Sequence, residues 1–542
     1  MRKRFTALLV GALALVGGCQ DFLDVNTNPN APQSVGANLY LSPMLHWMNM
    51  SPLWDGRFVG QYVQNWHNLA TGTGFYWEQM GYQASSDNGG QQWRDVYWSI
   101  GQNLVDMMAK AQAEERWDLY GVGEVIKAWG WLSVTDLHGE MILKQAFDQT
   151  RFTFDYDTQE EAYAETQRLL NDAIKNLSRT DGAVDAAYLG RTDIIYKGDR
   201  TKWLKLANGL LAVTLNHYSN KGSYKPADVI KAVDASFTNN SDDALLAYPC
   251  ASPDQADCNF FGRTRGNLVS TVTLNARQTA FILGLLDGTA LGSTPDPRRT
   301  RMLSPSPDGA YRGYVAGTLG TQGLSAAQQP NNLHGYAGTA GVGLPSRYLF
   351  SDRSKIPILT YAELQFIKAE AALRSGDRNT ALQAYVNGIN AHFDFVNARN
   401  LDDGQSPTQI TPAERAAFLA DPKIVPSAAN LTLTQIMTQK YIALWGWGFN
   451  ETWMDMRRFN YGQPVDAGRG LVVNTGIDPA TGQSVYPGFT VPTTLYTDNA
   501  GKVVWRIRPR YNSEYVWNSA ALQAIGGLAA DYHTKPIWIV QP

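Results

Sequence analysis

Thr-Tyr-Ala-Glu-Leu-Gln-Phe-Ile-Lys-Ala-Glu-Ala-Ala-Leu-Arg-Ser (360–375), then Gly376-Asp377, then Asn-Thr-Ala-Leu-Gln-Ala-Tyr-Val-Asn-Gly-Ile-Asn-Ala-His-Phe-Asp-Phe (379–395), is the stretch that decides the fold. Both runs are rich in residues that keep their rotamer freedom in a helix. Gly376-Asp377 between them reads as the turn. Ala369, Ala371, Ala372, Ala381 and Ala384 leave room for the two helices to approach closely, as in a tetratricopeptide hairpin.

The same pattern recurs outward from this hairpin. Trp93, Tyr97, Ile100, Leu104, Met107 and Ala111 are spaced by three or four residues and share one helical face. Residues 119–137 continue as a helix, and Tyr163, Thr166, Leu170, Ala173 and Leu177 repeat the spacing. Helices are also predicted over 199–218 and 432–459. No clean 34-residue period is present, so any repeats are divergent. Two long stretches, 283–352 and 461–536, are irregular, the first rich in Gly, Pro, Ser and Tyr, the second carrying β-prone residues at 503–507. Loops of that length are uncommon unless functional or packed onto a scaffold. The expected fold is mainly α: a divergent tetratricopeptide-like helical-hairpin scaffold with long irregular loop regions and a few short strands. No polar linker divides the chain. One unit over 19–542 is expected, with the scaffold near 40–240, 355–400 and 430–460. Its loop-rich face lies near 241–354 and 461–536.

The N-terminus has a basic start, Arg2-Lys3-Arg4, and a short apolar run, 7–18, too short to span a bilayer. It ends Leu15-Val16-Gly17-Gly18-Cys19, which resembles a bacterial lipobox. Residues 1–18 are then a lipoprotein signal peptide and Cys19 is the lipidated first residue of the mature chain; an ordinary signal peptide beside an incidental cysteine is the rival. Several acyl chains anchor stably where one does not. The two other cysteines, Cys250 and Cys258, lie in a loop-like stretch. In an oxidising compartment they are expected to form a local disulfide rather than a metal site, since no CxxC spacing or nearby histidine supports a metal. The 542 residues include 46 basic and 49 acidic side chains, which leaves no electrostatic footprint for nucleic acid. Disorder is excluded by 44% hydrophobic and 18% charged residues. No Walker loop, HExxH or GxSxG elbow occurs, so no cofactor, metal or catalytic residue is expected.

Aromatic residues stand out: 16 Trp and 26 Tyr. Behind the lipobox, Asp21-Phe-Leu-Asp-Val-Asn-Thr-Asn-Pro-Asn-Ala-Pro32 resembles the mature N-terminus of the SusD/RagB nutrient-binding outer-membrane lipoproteins. Further matches follow in order: Trp203-Leu-Lys-Leu-Ala-Asn208, Asp296-Pro-Arg298, the run 357–372, Gln439-Lys-Tyr-Ile-Ala-Leu444, Trp453-Met-Asp-Met-Arg-Arg458, 508–514 and 531–538. The resemblance implies a non-enzymatic protein, lipid-anchored at the outer membrane and exposed at the cell surface. It also implies that the protein captures an oligosaccharide, or in some members a peptide, for a SusC-like TonB-dependent transporter.

Sugar rings stack their C–H faces on flat aromatics while Asn, Gln, Asp or Arg bond the hydroxyls. Trp54, Trp66, Tyr76, Trp77 and Tyr82 occur with Gln61, Gln64, Asn65, Asn68 and Gln83 around the loop-like 70–74, and are candidate ligand residues. Tyr76 and Trp77, beside the Gly-rich turn, are the leading exposed pair. Tyr311, Tyr314, Tyr336 and Tyr348 with Arg347 form a second candidate group. For each aromatic the opposing expectation is core packing, which is favoured for Trp93, Trp129 and Trp131. Glu363 and Glu370 share a helical face, read as solvated or salt-bridged, and Asp455, Arg457 and Arg458 read as a structural charge cluster. Two rival functions stay open: a glycan-cleaving enzyme on an α-helical toroid, which needs two carboxylates in the aromatic groove, and a helical-repeat scaffold that binds another protein.

Overall fold

The computed structural model describes residues 35–69, 73–269, 274–336, 346–403, 409–465 and 475–542. Cys19 and the rest of the N-terminal segment lie outside the described residues. Half of the described residues are helical and 5% are in strands or bridges.

The scaffold begins with α1 (Leu41–Tyr62) and, after the short strand β1 (Trp66–Asn68), continues with α2 (Gly101–Ala113), α3 (Trp117–His138) and α4 (Gln159–Ser178). Then come α5 (Arg200–His217), α6 (Pro226–Asp234), the strands β2 (Ala244–Leu246), β3 (Ala276–Gln278) and β4 (Ile356–Leu359), and α7 (Tyr361–Ser375), α8 (Arg378–Arg399), α9 (Leu433–Leu444) and α10 (Phe449–Arg458). Successive helices pack in turn, α3 on α4, α4 on α5, α5 on α6, α6 on α7 and α7 on α8, which is the stacking of helical hairpins. Side-chain caps set the starts: Thr158 and Glu161 form a capping box on α4, Asp199 accepts from the first turn of α5, and Thr360 accepts from Glu363 N–H at α7. In the α7–α8 hairpin Gly376 takes φ +86°, ending one helix, and Asp377 caps the next.

The long excursion between α6 and α7 leaves and re-enters the scaffold at one point. There β2 pairs antiparallel with β4, Ala244 opposite Leu359 and Leu246 opposite Ile356. A second ladder, Trp66 opposite Gln278 in β1–β3, ties that excursion to the end of α1. Cys250 and Cys258 are joined by a disulfide in the same excursion.

Two of the expected elements differ in the structure. The single helix over 432–459 is two, α9 and α10, because Gly446 adopts φ +89° and breaks the run. Residues 503–507 form no strand; Val503, Val504 and Trp505 are buried, and the Trp505 and Ile507 N–H groups donate to the carbonyls of His533 and Leu137 rather than to a ladder.

Trp93, Trp129 and Trp131 are core residues. The charge cluster is also internal: Arg458 meets both oxygens of Glu370 at 2.7 and 2.9 Å and Asp455 at 2.6 Å, while Lys440 meets Glu451 at 2.6 Å. Burial pushes the Glu370 carboxyl up, but Arg458 and Arg374 outweigh it and hold it well below the usual range. Glu363 is buried too, not on a solvated face, and burial together with Glu451 pushes its carboxyl up.

Candidate functional site

Four of the candidate ligand aromatics are packed away. Trp66 sits in β1 between Phe261 and Phe449 and donates its indole N–H to the Arg57 carbonyl at 3.2 Å. Trp77, expected beside an exposed turn, is 1% exposed because Phe58 and Tyr62 enclose it. Tyr314 packs on His67, and Tyr336 lies beneath Arg263. These rings are buried in the core, and of the four only Trp77 borders the groove described below. Arg347 is half-buried and spends its guanidinium on the carbonyls of Thr300 and Leu303 and on the Tyr311 hydroxyl. It pins the loop region. Trp54 is half-buried, with the Arg57 guanidinium 4.4 Å from its ring centre. Residues 70–72, at the centre of that candidate segment, lie outside the described residues.

Tyr76 and Tyr82 are half-buried, and the chain brings them together around a residue more than 400 positions away. Tyr496 packs between them, 4.9 Å from Tyr76 and 5.3 Å from Tyr82. Tyr82 then forms one wall of a groove of about 170 Å³ with Gln83, Asn88, Arg508, Tyr511 and Tyr515. Arg508 fixes this groove. It donates to the Tyr515 hydroxyl at 2.8 Å and to the carbonyls of Gly527, Ala529 and Ala530, which holds its guanidinium 4.5 Å from the Tyr82 ring centre. The Tyr82 hydroxyl donates to Asp498 at 2.8 Å; burial and that bond keep it protonated far above its ordinary range. His533 lies behind the ring, and burial and Arg508 push it down to about 4, so it is neutral at pH 7. Tyr511 stacks on Tyr515 at 5.6 Å and remains half-exposed. Flat rings beside Gln83, Asn88 and arginine side chains are what a sugar ring requires.

At Arg510 this groove adjoins a larger cleft of about 420 Å³. Its walls are mostly rings and aliphatic groups: Trp98, Tyr97, Ile142, Phe147 and Phe154. Trp98 is 66% exposed, and the Arg94 guanidinium lies 4.4 Å from its ring centre. Phe152 and Trp517 are exposed on the segments that border the cleft, 94% and 75%.

One buried carboxylate ties these segments together. Glu514 accepts from the Trp93 indole at 3.3 Å, the Tyr156 hydroxyl at 2.6 Å and the Asn518 amide at 3.0 Å. Asn518 in turn bonds both the N–H and the carbonyl of Phe154. The helical turn bearing Arg94 and Trp98, the 142–157 segment bearing Phe152, and the 511–518 turn bearing Trp517 are thus pinned to Glu514. Burial and the Glu514 carboxylate push Tyr156 well up, which keeps it a donor.

Of the residues singled out in the sequence, Tyr82 and Gln83 line this groove and Tyr76 lies behind it on Tyr496; Trp98, Tyr511, Arg508, Arg510 and Glu514, which line the groove or the cleft, were not singled out. Trp98 did carry a signal, since it falls off the apolar stripe of Trp93, Tyr97 and Ile100. Among the described residues no group of three or more His, Cys, Asp or Glu could hold a metal ion.

The fold is shared with solved structures. A SusD/RagB family protein of Bacteroides thetaiotaomicron is 23% identical with a TM-score of 0.68, covering 94% of this chain and 99% of that one. A chitin-binding SusD homologue of Flavobacterium johnsoniae is 21% identical at 0.66, covering 93% and 99%, and a SusD homologue of Bacteroides fragilis is 17% identical at 0.68, covering 94% and 100%. No curated protein sequence matches this chain. The profile of a SusD-like family, described as starch-binding and associating with the outer membrane, matches residues 29–474. The chain therefore belongs to the SusD-like family.

Proposed function

We propose that this protein is a non-catalytic, surface-exposed binding protein of the outer membrane, lipid-anchored through Cys19. It captures an oligosaccharide in the Tyr82–Tyr511 groove and delivers it to a SusC-like TonB-dependent transporter. The observation that carries the reading is the groove itself: half-exposed tyrosine faces beside Gln83, Asn88 and Arg508, in a member of the SusD-like family. Sugar rings match that combination of flat faces and polar edges better than the varied side chains of a peptide. The carboxylates bordering the groove and cleft are already engaged. Asp87 receives Arg510 and Asn512, Asp148 receives Thr150 and Arg151, and Glu514 receives three donors. That occupancy suits holding over hydrolysis, which needs a free carboxyl pair.

The test is calorimetric titration of the full chain with oligosaccharide and peptide panels, followed by recovery of the ligand. Saturable binding of one oligosaccharide, recovered intact, is the expected result. Shortened products would turn the reading to an enzyme, and binding confined to the peptide panel would replace the substrate class.

A further inference from the structure

The cleft beside Trp98 differs in chemistry from the groove it adjoins, and the difference concerns what kind of group it holds. Its walls are apolar, and the Tyr97 hydroxyl among them is turned away, donating to the Ile142 carbonyl at 2.6 Å. Its polar rim is mostly cationic, with Gln149 and Ser513 beside the arginines. Arg94, Arg151 and Arg510 border it, each paired with one aspartate, and each keeps further N–H groups that bond no protein atom. The acceptors are few: Glu514 receives three protein donors and Asp148 receives the Thr150 N–H and hydroxyl and the Arg151 Nε, which leaves chiefly the Gln149 side-chain oxygen and the Ser513 hydroxyl, the latter buried with no protein partner. The cleft therefore offers hydrogen-bond donors and apolar area but few acceptors.

A pyranose ring fits that supply badly. Each of its hydroxyls brings a proton that needs an acceptor, and burying such a group unpaired is costly. An aromatic acyl ester fits it better: a flat ring for Trp98 and Phe147 to cover, carbonyl and ether oxygens that only accept, and a single phenolic hydroxyl for which Gln149 and Ser513 are acceptors. The volume, about 420 Å³, is ample for a substituted phenyl ring with its acyl chain.

We propose that this cleft receives an aromatic acyl substituent, of the hydroxycinnamoyl ester type, carried by the glycan that lies in the Tyr82–Tyr511 groove. The proposal rests on the oligosaccharide reading for the groove but assigns the cleft a different group. Arg510, shared by both spaces, marks the point where sugar gives way to ester.

The experiment uses methyl ferulate as the probe for the cleft and a feruloylated arabinoxylan oligosaccharide, with its saponified form, as the linked ligand. Tryptophan fluorescence of the full chain is followed for wild type and for Ala146→Trp, which fills the cleft without removing any bonded group. Saturable quenching by methyl ferulate, weakened at least tenfold in Ala146→Trp, is expected. So is at least tenfold tighter binding of the feruloylated than the saponified oligosaccharide wherever that glycan is bound. Trp98→Ala is the second variant, should Ala146→Trp fail to fold, and is expected to lose methyl ferulate binding at an unchanged melting temperature. No quenching by methyl ferulate, or equal quenching in wild type and both variants, would overturn the proposal. Loss of plain oligosaccharide binding in Ala146→Trp would overturn it too, by making the cleft a sugar subsite, while the oligosaccharide reading stood. If no oligosaccharide binds anywhere, that reading fails, and methyl ferulate still decides the cleft.

Discussion

Segment 54–82 and the turn 511–517 are both dense in aromatics, yet they put them to opposite uses. In the first, α1 runs into a strand that pairs with β3, so Trp66 and Trp77 are driven against Phe261, Phe449, Phe58 and Tyr62. In the second, a short turn is held by polar bonds, through Glu514 and from Asn512 to Asp87, and its rings project: Trp517 is 75% exposed, and Tyr511 is half-exposed over the groove. An aromatic ring becomes a ligand surface where its segment is held from behind by polar bonds, so that packing does not consume its face. Where apolar packing is what holds the segment, the ring is spent on the core.

That contrast predicts a graded series. The largest effect belongs to Trp66→Ala, which leaves a cavity between Phe261 and Phe449 and should cost about 3–5 kcal/mol in urea unfolding. A loss below about 1 kcal/mol would return Trp66 to the surface. Next is Glu514→Gln. A neutral amide cannot accept from Trp93, Tyr156 and Asn518 together, and an unmet buried donor costs about 1–3 kcal/mol. The change should also speed hydrogen exchange at the Phe154 amide, which depends on Asn518; unchanged exchange would remove Glu514 from its central place.

A further effect concerns pH on the scaffold side, where burial acts on charge as it does on rings. Burial pushes the Asp243 carboxyl up to about 8, against the opposing bond from the Tyr361 N–H. An unfolded aspartate titrates near ~4, so between the two values the folded chain keeps a proton that the unfolded chain has released. The contribution of Asp243 to stability is full below about pH 4 and is lost as pH rises through about 8. Asp243→Asn should therefore melt progressively higher relative to wild type from pH 5 to pH 8. A constant difference across that range would contradict the assignment. The smallest stability effect is that of Trp98→Ala, within about 0.5 kcal/mol, because the indole is mostly solvated and loses only its contact with Arg94. A larger loss would place Trp98 with Trp66.

The scaffold was legible in the sequence because its signals are local. The spacing of Trp93 to Ala111, the turn at Gly376-Asp377, and the alanines between 369 and 384 each report a helix, its end or a close approach within a few residues. The site was legible only in part because its signals are long-range. Tyr82 owes its setting to Tyr496, Arg508 and His533, and no spacing in 54–83 announces that Trp77 turns inward while Tyr82 does not. Likewise, Glu514 and Phe154 meet through Asn518 across more than 350 residues. The break between α9 and α10 hinged on one glycine in an otherwise helical run.

Tyr511→Ala tests the central claim most directly. Its ring lines the groove half-exposed, and its removal takes away one flat face without emptying the core. Calorimetric titration with the oligosaccharide that binds the wild-type full chain, alongside thermal melting, should show affinity reduced at least tenfold with the melting temperature essentially unchanged. Wild-type affinity in Tyr511→Ala, with Tyr82→Ala equally unaffected, would contradict the assignment of this groove as the ligand site.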